Sequence, residues 1–177
     1  KIYRVQNCDF NSMYSYIAKD YRYKSLKKNK RQIIFSWTQR EFKNLTKAKL
    51  AGINCPTVHA LKNNIIIEEM IGDESPSPQL KDCHPEDPEE FLNLLIKEIK
   101  NLYHDAKLVH GDLSAFNILN YNETPVLIDF SQSTVTKSPN HLELLERDLI
   151  NVQKFFKKLK VDFDYKEVFN EIINKNK

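Results

Sequence analysis

Glycine is scarce in this chain of 177 residues, which contains only Gly52, Gly72 and Gly111. The dinucleotide fingerprint and the P-loop, two common phosphate-binding loops, each need at least two glycines within a few residues of each other. Three isolated glycines form neither motif, so these 177 residues contain no loop of either type. We expect any glycine-rich phosphate loop to lie upstream of Lys1 or not to exist.

Cysteine is equally scarce, with three residues scattered along the chain: Cys8, Cys55 and Cys83. None of them stands in the CxxC spacing that is typical of zinc and redox sites. Small proteins that depend on disulfides have many more cysteines for their length. We therefore expect neither a disulfide framework nor a zinc site, and we expect a reducing, cytoplasmic location.

Long apolar runs are absent, and the longest are as short as Ile65–Ile67. This predicts no transmembrane helix, and Lys1–Phe10 has no apolar segment typical of a signal peptide. The net charge of +3 is too small for the whole chain to act as a polyanion binder. We expect neither a membrane nor DNA as a partner.

The hydrophobic fraction of 41% and the charged fraction of 29% are typical of a globular protein.

The first five residues, KIYRV, alternate weakly between polar and apolar side chains, as at the end of a strand. The chain starts with Lys1 rather than Met, and apolar residues follow at once. We interpret it as a fragment whose upstream strands are missing.

Periodicity and capping signals predict mixed helices and strands, which is an α+β chain. Asp87 and Pro88 form a strong helix start, and Gly52 is a helix stop. Asn63 and Asn64 lie in a turn between two apolar runs, which indicates a hairpin. The predicted helices cover Gln32–Ala51, Asp87–Ala106, Pro139–Lys158 and Asp164–Asn174; the predicted strands include Thr57–Leu61, Ile65–Glu69 and Val126–Ile128.

The segment from Lys19 to Arg31 is strongly basic and contains a single acid, Asp20. It has little apolar content, so we predict a loop. The loop is either simply solvated or a contact for phosphate or RNA.

Three polar residues follow one another at positions that suit phosphate chemistry: Asp112 and Asn117 in VHGDLSAFNIL, and Asp129 at the end of the apolar run VLID. Mg²⁺ prefers hard oxygen ligands and accepts only one or two from the protein. Asp129 and Asn117 would supply them, while Asp112 would face the γ-phosphate and accept a proton or position a nucleophile. Each residue alone could be a turn former or a strand-end cap. The ordered set favours phosphoryl transfer.

Glu41 provides independent support, because it falls on the apolar stripe of the predicted helix beside Trp37 and Leu45. A buried carboxylate needs a cation or a raised pKa. Lys1, on a strand, is the natural partner, and a strand lysine held by a helix glutamate is how kinases bind the α- and β-phosphates. The alternative is that Glu41 reaches solvent at the edge of the stripe.

Asp148 lies beside the inner stripe of the helix predicted over Pro139–Lys158, a stripe that we expect to begin at Leu142. Only Phe130–Ser138 link this helix to Asp129, so the helix must lie under the catalytic loop and no room remains for an activation loop. We predict that Asp148 accepts hydrogen bonds from the backbone at or next to 110–112, where amides need acceptors. The alternative is pairing with Arg147 or a nearby lysine.

Several segments together resemble the RIO family of atypical serine/threonine protein kinases, and its RIO-one subfamily most closely. The resemblance spans nearly the whole chain, and LVHGDLSAFNIL followed by IDFSQS is its most specific part. The other segments are KIYR, WTQREFKNL, AGINCP and ERDLINVQKFF.

The resemblance implies a two-lobed, protein-kinase-like α+β fold with a truncated N-lobe over 1–68, a hinge and connector over 69–80, and a C-lobe over 81–177. It implies ATP and Mg²⁺, with Mn²⁺ as a possible substitute, as the cofactors. It implies further that precursors of the small ribosomal subunit, through protein and rRNA, are the partner.

The resemblance also assigns roles to residues. It implies that Lys1 binds ATP with Glu41 beside it, that Asp112 is catalytic, and that Asn117 and Asp129 bind the metal. It implies backbone contacts to adenine at Glu69 and Ile71. In this subfamily the aspartate that matches Asp129 is linked to an aspartyl-phosphate and an ATPase cycle.

Three alternatives remain at this point. HGDL followed by an Asp also occurs in small-molecule phosphotransferases of the aminoglycoside or choline type, although the long acid-lined C-terminal lobe of those enzymes has no counterpart here. A nucleotide-sensing binding module with little turnover would retain the cleft without the chemistry. The small kinase of tRNA-modification complexes shares HGDL but usually continues IDFG, where this chain has IDFS.

Overall fold

The computed structural model describes residues 1–4, 9–18, 21–23 and 29–174, in which helices and short strands alternate as an α+β chain. The α-helices are α1 (Phe10–Ala18), α2 (Lys30–Leu50), α3 (Pro88–His104), α4 (His141–Lys158) and α5 (Tyr165–Asn174). The strands are β1 (Val58–Lys62), β2 (Ile65–Glu68), β3 (Leu108–Val109), β4 (Ile118–Tyr121), β5 (Thr124–Leu127) and β6 (Thr134–Val135). They pair antiparallel as β1–β2, β3–β6 and β4–β5.

The first residues of the chain lie along β2, as the alternation in KIYRV predicts. The Lys1 carbonyl accepts from the Ile66 amide at 3.0 Å, and the Tyr3 amide donates to the Asn64 carbonyl at 2.9 Å. Ile2 pairs with Ile65 in a single bridge rather than a full strand. Lys1 is thereby fixed beside the hairpin and close to α2.

The larger core lies between α3, α4, α5 and the β3–β6 and β4–β5 pairs. Its α3 stripe consists of Phe91, Leu95, Ile99 and Leu102, all buried. The Asp87 carboxylate accepts from the Glu89 and Glu90 amides at 3.1 and 3.0 Å, so the predicted helix start is confirmed. This core supports the loops that carry Asp112 and Asp129.

A second, smaller core joins α1 to α2 and was not predicted from the sequence. It buries Met13, Ile17, Ile33, Ile34 and Trp37. Because α1 is short and rich in aromatic and polar residues, its periodicity is weak. Helix α1 becomes apparent only when its apolar residues are paired with those of α2.

The loop predicted over Lys19–Arg31 is wrong where the structure describes it. Tyr21–Tyr23 form a 3₁₀-helix, and Lys30 and Arg31 already belong to α2. The cause is Asn29, whose side chain caps the helix by accepting from the Arg31 and Gln32 amides. Lys19, Asp20 and residues 24–28 lie outside the described residues.

Two details of α4 differ from the prediction. The helix begins at His141 rather than Pro139. Leu142 is 39% exposed, so its placement on the inner stripe was wrong, and Leu144 and Leu145 are buried instead. The stripe therefore starts two residues later than the sequence suggests, at Leu144.

The connector after β2 turns sharply at Gly72, which pairs with Pro76. A Cβ atom at Gly72 would lie 2.1 Å from the Ser75 carbonyl oxygen, so only glycine fits this turn. The division into 1–68, 69–80 and 81–177 stays a prediction. In the described ranges no helix combines the length and apolar character needed to cross a bilayer.

Candidate active site

A cleft of about 440 Å³ opens between the hairpin and the loops above the larger core. It brings together five of the residues singled out in the sequence: Lys1, Glu69, Ile71, Asn117 and Asp129. Glu41 lies behind Lys1, and Asp112 lies behind Asn117. All seven predicted site residues therefore lie in or next to one site.

Lys1 is the centre of the charged part of the cleft. Its Nζ lies 2.6 Å from Glu41 Oε1 and 3.0 Å from Asp129 Oδ1. The predicted ion pair between Lys1 and Glu41 is confirmed. Burial lowers the pKa of Lys1, but the two carboxylates outweigh burial and raise it, so the ammonium is charged.

Glu41 is fully buried, as its place on the stripe of α2 predicts. Burial raises the pKa of Glu41 to about 6, although Lys1 acts in the opposite direction. The Tyr3 hydroxyl donates to the second carboxylate oxygen, Oε2. Sequence analysis missed Tyr3, but residues two apart on an extended segment share a face. The position of Tyr3 relative to Lys1 was the available signal.

Asp129 lies two residues after β5, with a positive φ of 60° that few residues other than glycine adopt. Its Oδ1 also accepts from the Ser131 amide at 3.3 Å. Burial favours the neutral acid, but Lys1 and Ser131 outweigh it and lower the pKa of Asp129. The carboxylate is held ionised and turned into the cleft.

Asp112 is held by amide side chains on two loops. Asn117 Nδ2 donates to the Asp112 carbonyl at 2.8 Å, and Gln132 Nε2 donates to Asp112 Oδ2 at 2.9 Å. Burial raises the pKa of Asp112, and Arg147 opposes this. Sequence analysis missed Gln132, because nothing in IDFSQS indicates that its glutamine turns back toward the other loop.

His110 braces the loop from inside. Its Nε2 lies 3.0 Å from the Ile128 carbonyl, which can only accept, so this nitrogen carries the proton. The ring packs at 5.0 Å from that of Phe130. Burial lowers the pKa of His110 to about 4, so the imidazole is neutral and structural.

Asp148 lies beneath the same loop, 1% exposed. Its carboxylate accepts from the Gly111 amide at 2.7 Å and from the Leu113 amide at 2.9 Å, which confirms the prediction. Burial raises the pKa of Asp148 to about 7 against the effect of these amides. Arg147 donates to the Gly111 carbonyl and, at 3.3 Å, to the Tyr16 hydroxyl.

Gly111 is required by the same packing. Its φ is +78°, and a Cβ atom there would lie 2.9 Å from the Gln132 carbonyl oxygen. The glycine of HGD therefore permits the close approach between the loop of Asp112 and the loop of Asp129.

Glu69 and Ile71 border the other end of the cleft. The Glu69 amide donates to the Thr57 carbonyl at 2.8 Å, and the Ile71 carbonyl accepts from the Ser77 amide at 2.8 Å. The Glu69 carbonyl and the Ile71 amide have no backbone partner within the described ranges. Among the described residues, this backbone therefore offers the cleft one acceptor and one donor, a pair that could match an adenine edge.

The oxygen ligands of the cleft suit Mg²⁺ better than they suit a metal ion whose ligands all come from the protein. Asp129 offers a carboxylate, and Asn117 keeps its amide oxygen free because its nitrogen donates to Asp112. Across the part of the chain that the structure describes, no group of three His, Cys, Asp or Glu side chains could hold a metal. Mg²⁺ accepts one or two protein ligands and retains water on its other positions.

The α+β architecture, the lysine–glutamate pair and the Asp–Asn loop below it define a protein-kinase-like domain. A model of the RIO domain matches residues 1–168, and the chain belongs to this family. The family match does not favour the aminoglycoside- or choline-type alternative.

Relatives agree over nearly the whole chain. The chain is 41% identical over 176 residues to the RIO-type serine/threonine-protein kinase Rio1 of Methanocaldococcus jannaschii, covering 99% of this chain and 60% of that protein. It is 37% identical to human serine/threonine-protein kinase RIO3, covering 99% of this chain and 35% of that protein. The chain thus spans roughly a third to three fifths of these relatives.

The fold is also that of a solved relative. The Rio2 kinase of Chaetomium thermophilum, in a complex with ADP, Mg²⁺ and phosphoaspartate, superposes with a TM-score of 0.70 at 19% identity, covering 99% of this chain and 57% of that one. This likeness confirms the predicted kinase-like α+β fold.

Proposed function

We propose that the protein transfers phosphoryl groups from ATP as a RIO-type serine/threonine protein kinase. One observation carries the proposal: Lys1 Nζ lies between Glu41 and Asp129, at 2.6 and 3.0 Å, on the wall of the cleft. A buried glutamate holds the lysine where nucleotide phosphates would enter, and the carboxylate opposite belongs to the predicted metal site. Names of the relatives support the same chemistry.

Each part of the cleft would then contact a different part of the nucleotide. Lys1 would contact the α- and β-phosphates, with Glu41 fixing the direction of its side chain. Asn117 and Asp129 would hold Mg²⁺, which neutralises phosphate charge when bound. The Glu69 carbonyl and the Ile71 amide would bind the adenine edge.

Asp112 would accept the proton of the attacking hydroxyl, or orient that hydroxyl. Gln132 donates to its carboxylate and Asn117 donates to its backbone carbonyl, and the two contacts fix it next to the cleft. Its raised pKa makes it a better base than an exposed aspartate.

We further propose that Asp129 itself accepts the phosphoryl group in an ATPase cycle. A carboxylate oxygen would attack the γ-phosphorus, the bond to the β–γ bridging oxygen would break, and ADP would leave with the bonding electrons. Water would then release phosphate and restore Asp129. The phosphoaspartate in the Chaetomium Rio2 complex supports this step.

The family resemblance supports three further proposals. The partner would be a precursor of the small ribosomal subunit, Mn²⁺ would be a substitute metal, and the location would be cytoplasmic.

The test is transfer from γ-labelled ATP with Mg²⁺, or with Mn²⁺ in its place. Wild type should release labelled phosphate and become labelled on a carboxylate, as a product that hydroxylamine removes. Asp112→Asn should abolish transfer to serine or threonine. An exposed aspartate, Asp162, gives the matched control, because Asp162→Asn should change nothing. A wild-type chain that binds ATP and transfers no label would contradict the kinase and the ATPase together.

A further inference from the structure

A second cavity, of about 360 Å³, lies apart from the nucleotide cleft and shares no residue with it. Three lysines line it, together with Val135 and Thr136: Lys47 on α2, Lys107 before β3 and Lys137 after β6. Strands β3 and β6 pair, and the Thr136 amide donates to the Lys107 carbonyl at 3.1 Å. The pairing brings Lys107 and Lys137 to the same end of this sheet, facing Lys47.

Among the residues that the structure describes, these three ammonium groups have no anionic partner. Within the ranges that the structure describes, none of them makes an ion pair or a side-chain hydrogen bond. Partial burial, together with repulsion from Arg22, Lys107 and Lys137, lowers the pKa of Lys47. The protein therefore holds like charges together at a cost that a bound anion would relieve.

The positive charge of the cavity continues beside it, around the partly buried Tyr23, which packs against the core of α1 and α2. Arg22 donates to Asn44 Oδ1 at 3.2 Å, and its guanidinium lies 5.8 Å from the centre of the Tyr23 ring. Lys43, one helical turn before Lys47, lies 5.9 Å from the same ring centre. We call Arg22, Lys43, Lys47, Lys107 and Lys137 the basic face.

We propose that the basic face binds the phosphate backbone of RNA. Five cations from four separate segments of the chain cover more surface than one phosphate ion can meet, whereas successive phosphates of a strand match such a spread. The inference deepens the proposed function, because it names the face that would contact the RNA of the proposed ribosomal partner.

The test measures binding of a fluorescein-labelled RNA hairpin by anisotropy from 50 to 300 mM KCl. The variant combines Lys47→Gln, Lys107→Gln and Lys137→Gln, which keep the size of the side chains. Each phosphate contact contributes about 0.7 to 0.9 to the slope of log K against log salt. Loss of three contacts should therefore reduce the slope by about 2 and weaken binding more than tenfold at 150 mM KCl. Replacing the same lysines by arginine should retain binding.

The control variant removes the same charge elsewhere, through Lys97→Gln, Lys154→Gln and Lys158→Gln at exposed positions. It should bind within about twofold of wild type, because it lies outside the basic face. Equal losses in both triple variants, or an unchanged slope in the first, would overturn the proposal. So would displacement of the RNA by inorganic phosphate or poly-glutamate as efficiently as by unlabelled RNA at equal ionic strength. ATP turnover, measured on the same samples, should stay at the wild-type rate, so a failed RNA test leaves the proposed kinase activity to its own test.

Discussion

Two buried carboxylates hold the two sides of the cleft in different ways. Glu41 above it and Asp148 below it are 0% and 1% exposed. Glu41 is balanced by the Lys1 ammonium and the Tyr3 hydroxyl, both side chains. Asp148 is balanced by two backbone amides of the loop that carries Asp112. Burial raises the pKa of both acids, so the partners rather than the burial distinguish them.

Because Glu41 has side-chain partners and Asp148 has backbone partners, the contact of Glu41 can rearrange, whereas the contact of Asp148 is fixed. We call these two contacts the responsive side and the fixed side of the cleft. Lys1 has a long flexible side chain and already divides its charge between Glu41 and Asp129. Phosphates and metal entering the cleft would compete for the same groups, so the upper contact can change with ligand. Asp148 holds backbone, and His110, Arg147 and Asn151 hold the same loop from other directions. The lower contact therefore fixes the shape of the loop, and under the proposed function the upper contact would change when nucleotide binds.

The largest effect should come from Asp129→Asn, which keeps the size of the side chain and removes its charge. We expect ATP turnover to fall about a thousandfold or more, because a group acting on the reacting phosphate is lost. Unfolding by urea should change little, since Asp129 belongs to the responsive side. Near-normal hydrolysis in the variant would remove both the metal role and the phosphoryl-acceptor role of Asp129.

Asp148→Ala should have the largest effect on stability. Two buried amides would lose their acceptor, which costs about 1 to 3 kcal/mol each, so the free energy of unfolding should fall by about 3 to 4 kcal/mol. Asp148→Asn retains one acceptor oxygen and should lose about half as much. Glu146→Ala, exposed on the same helix, should stay within about 0.5 kcal/mol. Equal stability of the two Asp148 variants and the control would mean that the loop does not depend on this carboxylate.

Both carboxylates could be predicted from the sequence, for related reasons. Glu41 interrupts a helical apolar stripe, and Asp148 stands beside one, so periodicity alone places each against a core. A buried acid needs a partner, and the short link after Asp129 left the catalytic loop as the partner for Asp148. Periodicity predicted an α+β chain, whereas the kinase-like fold was implied by the resemblance to the RIO family.

Other contacts could not be predicted, because they depend on how loops turn. Gln132 reaches Asp112 through a backbone direction that no periodicity encodes. Helix α1 is fixed by packing on α2, which local propensity does not reveal. Leu142 fits the α4 stripe by spacing, but it lies at the helix start, where the core no longer covers it.

The pH dependence of stability tests whether buried His110, in the loop that Asp148 supports, is neutral in the folded protein. Burial lowers the pKa of His110 from 6.5 to about 4, so the unfolded chain takes up a proton at a higher pH than the folded chain. The stability that the neutral imidazole contributes is complete above about pH 6.5 and is lost as the pH falls toward 4. The difference of about 2.5 pH units corresponds to roughly 3 kcal/mol.

His110→Gln retains a donor for the Ile128 carbonyl but cannot titrate. Urea unfolding from pH 7 to pH 4 should therefore show the wild type losing more stability than the variant, by up to this amount. Glu41 and Asp148 act with the opposite sign in the same range, which is why the difference between the two proteins is measured. Parallel pH curves would show that His110 is not held neutral.

The smallest and most discriminating effect concerns the responsive side, through a double-mutant cycle of Lys1→Ala and Glu41→Ala. One ion pair is lost only once, so the double variant should be less impaired than the sum of the single variants, in ATP turnover and in free energy of unfolding. We expect a coupling of about 1 to 2 kcal/mol, because the pair is buried on the Glu41 side but Lys1 keeps Asp129 as a second partner. The exposed pair Lys100–Glu171, at a similar 2.6 Å, should couple by less than about 1 kcal/mol.

Saturating ATP and Mg²⁺ should reduce the Lys1–Glu41 coupling in stability if Lys1 turns toward the phosphates, and should leave the effect of Asp148→Ala unchanged. Strict additivity without nucleotide would mean that Lys1 and Glu41 do not meet in solution.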